Sequence, residues 1–244
     1  MFLATVAICI VLLGNFAIAE VPSYIHICGR KDPQLNDCII KSVEALRGNL
    51  RNGIPELDVP PVEPMKFKKI ALSDTPNFRA IAQDVKLYGL SDFTVTSLKT
   101  DLNNKRIDLN VIFKDIKLNA EYDVSARIVV PIAGTGPIEI VADGVAAKVT
   151  LKFQLVNHKG KTYMYFPSIT IKLTIKDYIS HFVPREGENS PLANGINAAL
   201  SNGRQEIIET ITPNLEKVIS EQILEYANKI CKHFTYEELF PDRE

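Results

Sequence analysis

Ser168-Ile169-Thr170-Ile171-Lys172-Leu173-Thr174-Ile175-Lys176 alternates polar and aliphatic residues at every step. In a strand this period of two puts Ile169, Ile171, Leu173 and Ile175 on one face and the hydroxyls and lysines on the other. That is the pattern of an antiparallel sheet covered on one side only. The same signature extends back to about Lys66. Ile107, Leu109, Val111 and Phe113 share one face, and Ile116, Leu118, Ala120, Tyr122 and Val124 also alternate, with the opposite parity. One added residue flips a strand's faces, so the spacing predicts a β-bulge near Lys114-Asp115. Asn157-His158-Lys159-Gly160 reads as a hairpin turn.

Helical periodicity flanks this region on both sides. After the loop around Pro184–Pro191, Ile196, Leu200, Ile207, Ile211, Leu215, Val218, Gln222, Tyr226 and Ile230 recur mostly every three or four residues. A helix over 192–233 would be on the order of 60 Å long at about 1.5 Å per residue. Gly203 and Pro213 are expected to weaken or kink it. Before the sheet, Asp32-Pro33 is a helix-start signal. Leu35, Ile39, Val43, Leu46 and Leu50 form a stripe, and Gly53 ends it. Residues 55–64 hold four prolines and read as an extended connector, neither helix nor central strand. A long amphipathic helix facing a long, one-faced sheet implies an α+β single domain, a curved antiparallel sheet wrapped around a C-terminal helix.

Phe2–Ile18 is almost continuously apolar and ends in Ala17-Ile18-Ala19 before Glu20, the small-residue pattern of a signal peptidase site. An uncleaved anchor is the rival reading, but the apolar run is shorter than the roughly 20 residues that span a bilayer. We therefore expect a signal peptide at 1–19, a secreted, extracellular chain over 20–244 and no stable membrane insertion.

The 28 basic and 29 acidic residues almost cancel, and no basic stripe interleaved with aromatics appears, which argues against nucleic-acid binding. Of four cysteines, Cys9 lies in the leader. Cys28 and Cys38 are close in sequence, and an oxidising compartment favours joining them, a bridge of roughly 2.5–3 kcal/mol in the chain-entropy model. Zinc is the competing use of such a pair, but the spacing is wrong and there is no second pair. Cys231 is left as a buried free thiol or an intermolecular bridge.

Catalytic equipment is not visible. Histidines 26, 158, 181 and 233 show no metal-ligand spacing, and there is no Gly-x-Ser-x-Gly elbow. Gly134-Thr135-Gly136 lacks the rest of a phosphate loop and reads as a turn. No enzyme activity, metal or cofactor is expected. The bulky aliphatic stripes stand out instead, and composition leaves two readings open: a closed core, or helix and sheet that fail to seal and leave an apolar channel.

Cys28 with Asp37-Cys38 before a helix, then Gly53-Ile54-Pro55-Glu56-Leu57 and Pro60-Pro61-Val62-Glu63-Pro64-Met65, resembles the start of the insect takeout / juvenile-hormone-binding protein family. Ile230-Cys231-Lys232-His233-Phe234 and Tyr236-Glu237-Glu238-Leu239-Phe240-Pro241 are similar to its terminus. The resemblance implies a long C-terminal helix in a highly curved antiparallel sheet, with an elongated apolar cavity between them. It also implies a secreted carrier of small lipophilic molecules, some members being linked to feeding and circadian output. The dedicated hormone carriers have a second disulfide, which this chain has no cysteines to form, so it resembles the takeout-like branch. The family's Asn-Trp early in the long helix is replaced by Ser201-Asn202-Gly203-Arg204.

The expected partner is thus a juvenile-hormone-like terpenoid, a fatty acid or a similar ligand, bound by a monomer. Inner-face parity and the helical stripe nominate Leu109, Val111, Phe113, Phe153, Ile171, Leu173, Ile207, Ile211 and Leu215 as cavity lining, with Tyr122 or Tyr165 as donor to a polar head group. The competing function is a ligand-free extracellular signalling protein whose surface binds an unidentified receptor.

Overall fold

In the computed structural model, residues 21–127, 131–182, 197–198 and 201–244 are described, and the leader expected at 1–19 lies outside them. Helix α1 (Leu35–Asn52) precedes strands β1 (Met65–Asp74), β2 (Phe78–Tyr88), β3 (Phe93–Asp101), β4 (Arg106–Phe113), β5 (Ile116–Arg127), β6 (Pro131–Asp143), β7 (Ala146–His158), β8 (Lys161–Thr174) and β9 (Asp177–Phe182). Helices α2 (Arg204–Cys231) and α3 (Tyr236–Leu239) follow. The strands form two antiparallel sheets, in the orders β1-β2-β5-β6-β9 and β3-β4-β7-β8.

The parity change at Lys114-Asp115 marks a change of sheet and not the expected bulge. β4 belongs to the four-stranded sheet and β5 to the five-stranded one. The chain makes the same passage at 89–92, 144–145 and 175–176. Four long strands therefore meander side by side, and all bend at one level. The bends support one another: Phe113 N–H donates to the Val145 carbonyl (2.9 Å) and Lys176 N–H to the Asp143 carbonyl (3.1 Å). Two of them need glycine. Gly89 (φ +89°) lies so close to Asp115 that a Cβ would collide with its carbonyl oxygen, and a Cβ on Gly144 (φ +60°) would come within 2.7 Å of Lys176 Cβ. The Glu63 carboxylate secures the first bend by accepting from the N–H groups of Gly89 (3.0 Å) and Ser91 (2.8 Å).

Glu63 comes from the proline-rich connector, which is not wholly extended as expected. Pro55–Leu57 is a single 3-10 turn closed by an Ile54–Val59 bridge, and Ile54, Leu57 and Val59 are buried. A proline at the start of such a turn loses no hydrogen bond, because its N–H would have no partner there.

Open sheets leave unpaired backbone groups at their edges. Here the helices satisfy several of them with side chains. On β3, Thr100 N–H donates to Asn36 Oδ1 (2.9 Å) and Arg47 Nη2 donates to the Phe93 carbonyl (2.8 Å), both residues lying on α1. On β8, Asn228 of α2 pairs with Phe166 as a strand would, accepting from its N–H and donating to its carbonyl, each at 2.9 Å. Glu216 accepts from Leu173 N–H (2.9 Å), and Asn214 donates to the Leu72 carbonyl on β1 (2.9 Å). Helix α2 therefore lies between the two sides of the curved sheet.

Helix is present at 197–198 and 201–202, breaks at Gly203 and continues as α2 from Arg204; residues 192–196 and 199–200, Ile196 and Leu200 among them, lie outside the described residues. Pro213 is accommodated within α2. Helix α1 starts at Leu35, just after Asp32 accepts from Gln34 N–H (2.7 Å), and ends at Gly53 (φ +86°). None of its residues is fully buried, so it depends on attachments: the Cys28–Cys38 disulfide, the two β3 contacts and the packing of Leu46 and Leu50. The hairpin at Lys159-Gly160 forms as expected, both residues having positive φ.

The segment at 29–31 meets residues 236–243. Arg30 binds Glu237 through two 2.9 Å hydrogen bonds and lies over the Tyr236 ring. Lys31 reaches Asp242 (3.1 Å), and the N–H groups of Arg30 and Lys31 donate to the carbonyls of Pro241 and Arg243.

Replacing Glu63 with Ala leaves two bend N–H groups without their acceptor. It should destabilise by about 1–3 kcal/mol in urea unfolding, and an unchanged midpoint would mean that the first bend does not need this carboxylate.

Hydrogen bonds from Lys31, Lys232 and Arg106, respectively, hold the carboxyls of Asp242, Asp58 and Asp108 below their ordinary values. Folded-state pKa values below the unfolded ones stabilise above the unfolded carboxylate range of about 4, and that contribution is lost as pH falls through the folded values. Thermal midpoints should therefore hold from pH 7 to 5 as far as these groups are concerned and drop below about pH 4.

Candidate binding site: an apolar interior with a packed end and an unsealed end

The inner faces of the sheets differ in how tightly they close. In the four-stranded sheet Val111, Ala147, Val149, Ile169 and Ile171 are buried together, with Ile219, Ile223, Leu224 and Ala227 of α2 against them. Further toward the C-terminus Phe153, Met164, Phe166 and Cys231 form a plug under Tyr236, Leu239 and Phe240. Burial pushes the Cys231 thiol up to about 12. It is buried and unbridged within this chain, which fits the buried free thiol of the two uses expected for it.

The five-stranded sheet is unevenly filled inside: on β1 and β2 Phe67, Ile70, Ala82, Val85 and Leu87 are buried, while β5 and β6 are looser. Leu118, Ala120, Val124, Ile140 and Ala142 point inward from β5 and β6, yet each is only half-buried. Leu215 and Val218 of α2 face the same cluster as Leu118 and Ala120, and are half-buried too. Gly134 and Gly136 stand opposite Val124 and Tyr122 in the β5–β6 register. This corrects the turn expected at Gly134-Thr135-Gly136, which is internal strand. A strand glycine on an inner face leaves volume that a side chain would fill, and often marks the close approach of another group.

The nominated residues divide accordingly. Leu109, Val111, Phe113, Ile171 and Leu173 come together around the middle of α2. Leu215 lies at the edge of the looser region, with Ile211 and Ile207 one and two turns before it, both half-buried. Tyr122 is buried with Ile138 on the five-stranded sheet, apart from that group. Phe153 belongs to the plug. Tyr165 is misplaced: it is 45% exposed on the outer face and cannot meet an internal ligand. The strand slips register between Lys152 and Gln154, so parity carried across that point misassigns faces. Ile138 and the two glycines were missed, although inward alternation of Gly134, Gly136, Ile138, Ile140 and Ala142 was present in the sequence.

Two open clefts of about 550 and 590 Å³ lie elsewhere, on the surface, lined largely by polar residues including Lys66, Lys68 and Lys69 in one and Arg30, Lys31 and Lys99 in the other. Their chemistry does not suit an apolar ligand. Among the described residues no cluster of histidine, cysteine and carboxylate side chains could hold a metal, and no helix is long and apolar enough to cross a membrane.

The model of the haemolymph juvenile hormone binding protein (JHBP) family matches residues 3–241. The chain belongs to this family. JHBP-family chains are binding proteins for small hydrophobic molecules and not enzymes. The crystal structure of Epiphyas postvittana Takeout 1 superposes with a TM-score of 0.78 at 16% identity, covering 88% of this chain and 99% of that one, and so shows the fold. A Schistocerca gregaria protein named for beta-carotene binding is 22% identical over 221 residues, 86% of each chain. The Drosophila melanogaster circadian clock-controlled protein daywake is 22% identical over 231 residues, 90% of this chain and 88% of its own.

A thiol held near 12 and enclosed in the JHBP-fold plug should resist iodoacetamide at pH 8 in the native protein and react once urea opens it. Rapid native labelling would show that the plug opens readily.

Proposed function

We propose that this chain is a secreted carrier whose small hydrophobic ligand lies along α2, chiefly against the inner face of β5 and β6. The observation that carries the reading is a contrast between inner sheet faces: Val111, Ala147, Val149, Ile169 and Ile171 are buried, while Leu118, Val124 and Ile140, with Leu215 and Val218 of α2 on the same side, stay half-buried beside two inward glycines. Burying a chain of ten CH₂ groups is favourable by roughly 0.8 kcal/mol per group. Shape and apolarity can therefore supply the affinity, and Tyr122 is the inner-face candidate to meet a polar head group. The family, and the printed name of the Schistocerca relative, support an elongated terpenoid, fatty acid or carotenoid-like ligand. The disulfide supports an extracellular setting, and daywake's name supports a link to circadian output; feeding rests on the resemblance alone.

Organic extraction of protein purified from its native secretion, followed by mass spectrometry, should yield a stoichiometric lipid. Ile211→Trp and Gly136→Val should each weaken uptake of a fluorescent fatty acid at least about tenfold while the thermal midpoint stays near that of the parent. A dry protein that takes up no probe would sink the carrier reading and favour a closed core with a receptor-binding surface.

A further inference from the structure

The chain as a whole is almost neutral, but one surface is not. From Val145 to Lys176 there are six lysines and no aspartate or glutamate. This stretch is β7, its hairpin turn and β8. Lys148, Lys152, Lys161 and Lys172 occupy outward positions, Lys159 lies in the turn, and all five are exposed. Lys148 and Lys172 are direct register partners. Like charges directly opposite on an antiparallel pair are destabilising, so the fold carries them at a cost.

Neighbouring elements do not neutralise this face. On β4 Asp108 is occupied by Arg106 (2.8 Å) and by the Thr150 hydroxyl (2.7 Å), and on β3 Asp101 is held by Asn104 while Lys99 adds another positive charge. Glu216 of α2 takes only Lys172 (2.7 Å). Among the described residues Lys148, Lys152, Lys159 and Lys161 have no carboxylate partner.

The same hairpin extends beyond its neighbour. The ladder of β4 with β7 stops at Arg106–Lys152, and residues 153–166 continue as a hairpin held at its edges by the Phe153 N–H to the Lys105 carbonyl, Asn228 on Phe166 and a bridge between Tyr163 and Thr235, with its outer face left uncovered. Its inner side is the Phe153–Met164–Phe166 plug. Its outer side carries Val156 (40% exposed) beside Tyr163, with Tyr165 (45% exposed) next along the strand and His158 near the turn. Exposed tyrosine and aliphatic side chains rimmed by lysines suit a membrane–water boundary, where the rings sit among head groups and the ammoniums meet anionic phosphates.

We infer that the outer face of the β7–β8 hairpin docks on anionic phospholipid bilayers, with Val156, Tyr163 and Tyr165 at the contact and Lys148, Lys152, Lys159 and Lys161 around it. Charge complementarity selects the partner, and the apolar hairpin end selects a bilayer over a soluble acidic protein. The surface is independent of the interior, so the inference stands whether or not the carrier reading does.

The test is co-sedimentation of residues 20–244 with vesicles of phosphatidylcholine alone or with 30% phosphatidylglycerol, at low and high salt. Binding should require the anionic lipid and be lost at high salt. Lys152→Gln with Lys161→Gln should weaken it roughly fivefold per lysine, and Tyr165→Ala should weaken it further. The thermal midpoint should not fall, and fluorescent fatty-acid uptake should match the parent, which separates this result from failure of the carrier reading. Lys66→Gln with Lys68→Gln, on β1, should bind as the parent does. Equal partition onto neutral vesicles, no partition at all, capture only by an acidic protein, or equal loss in the β1 variant would overturn the inference.

Discussion

Unpaired backbone at the edges of an open sheet is the constraint around which this molecule is organised. A sheet that curves without closing exposes N–H and C=O groups along both sides, and those groups invite pairing with other chains. Here side chains from the two long helices take that place. The Asn228 amide, which both accepts from and donates to Phe166, copies the pairing a neighbouring strand would make. Asn36 and Arg47 serve β3 from the other side. The helices therefore do more than cover apolar surface. They set where the edges stop, and so how far the sheet can curl around α2.

Much of this was legible from alternation alone. The strand at 168–176, the hairpin at 159–160 and the stripe around Leu215 needed only period counting. The misreadings share one physical origin, because side-chain parity reports which face a residue is on and not which sheet the strand belongs to. The flip at Lys114-Asp115 looks the same whether a strand bulges or passes into a second sheet. Only the recurrence of the passage at three other places distinguishes the two, and those places (Gly89 and Gly144 among them) look like ordinary turns in sequence. Tyr165 failed for a related reason, a local register slip that no residue type announces. Gly134 and Gly136 failed through propensity: glycine reads as a turn unless tertiary context keeps it in a strand.

The uneven interior follows from residue size. Where the four-stranded sheet meets α2, Val111, Val149, Ile169 and Ile171 are buried against half-buried Ile219, Ile223 and Leu224. Along β6, Gly134 and Gly136 face inward before Ile138, and Val124 and Ala120 on the opposing strand keep part of their surface open. A ligand reading for the second region and a structural reading for the first are consequences of the same fold. The bend level separates them, so pressure on one end need not be transmitted as a change in packing at the other.

The meeting of residues 29–31 with residues 236–243 bears on how the molecule is made. Gly29 lies so close to the Arg243 carbonyl that any side chain there would displace the tail, and Arg30 and Lys31 take their partners from the last eight residues. During synthesis those partners leave the ribosome only after the whole meander. The strands can pair as they emerge, but residues 29–31 must wait for residues 237–243 before they can be fastened. Closure of the fold is thereby delayed behind the meander, and a truncation before Glu237 loses this fastening.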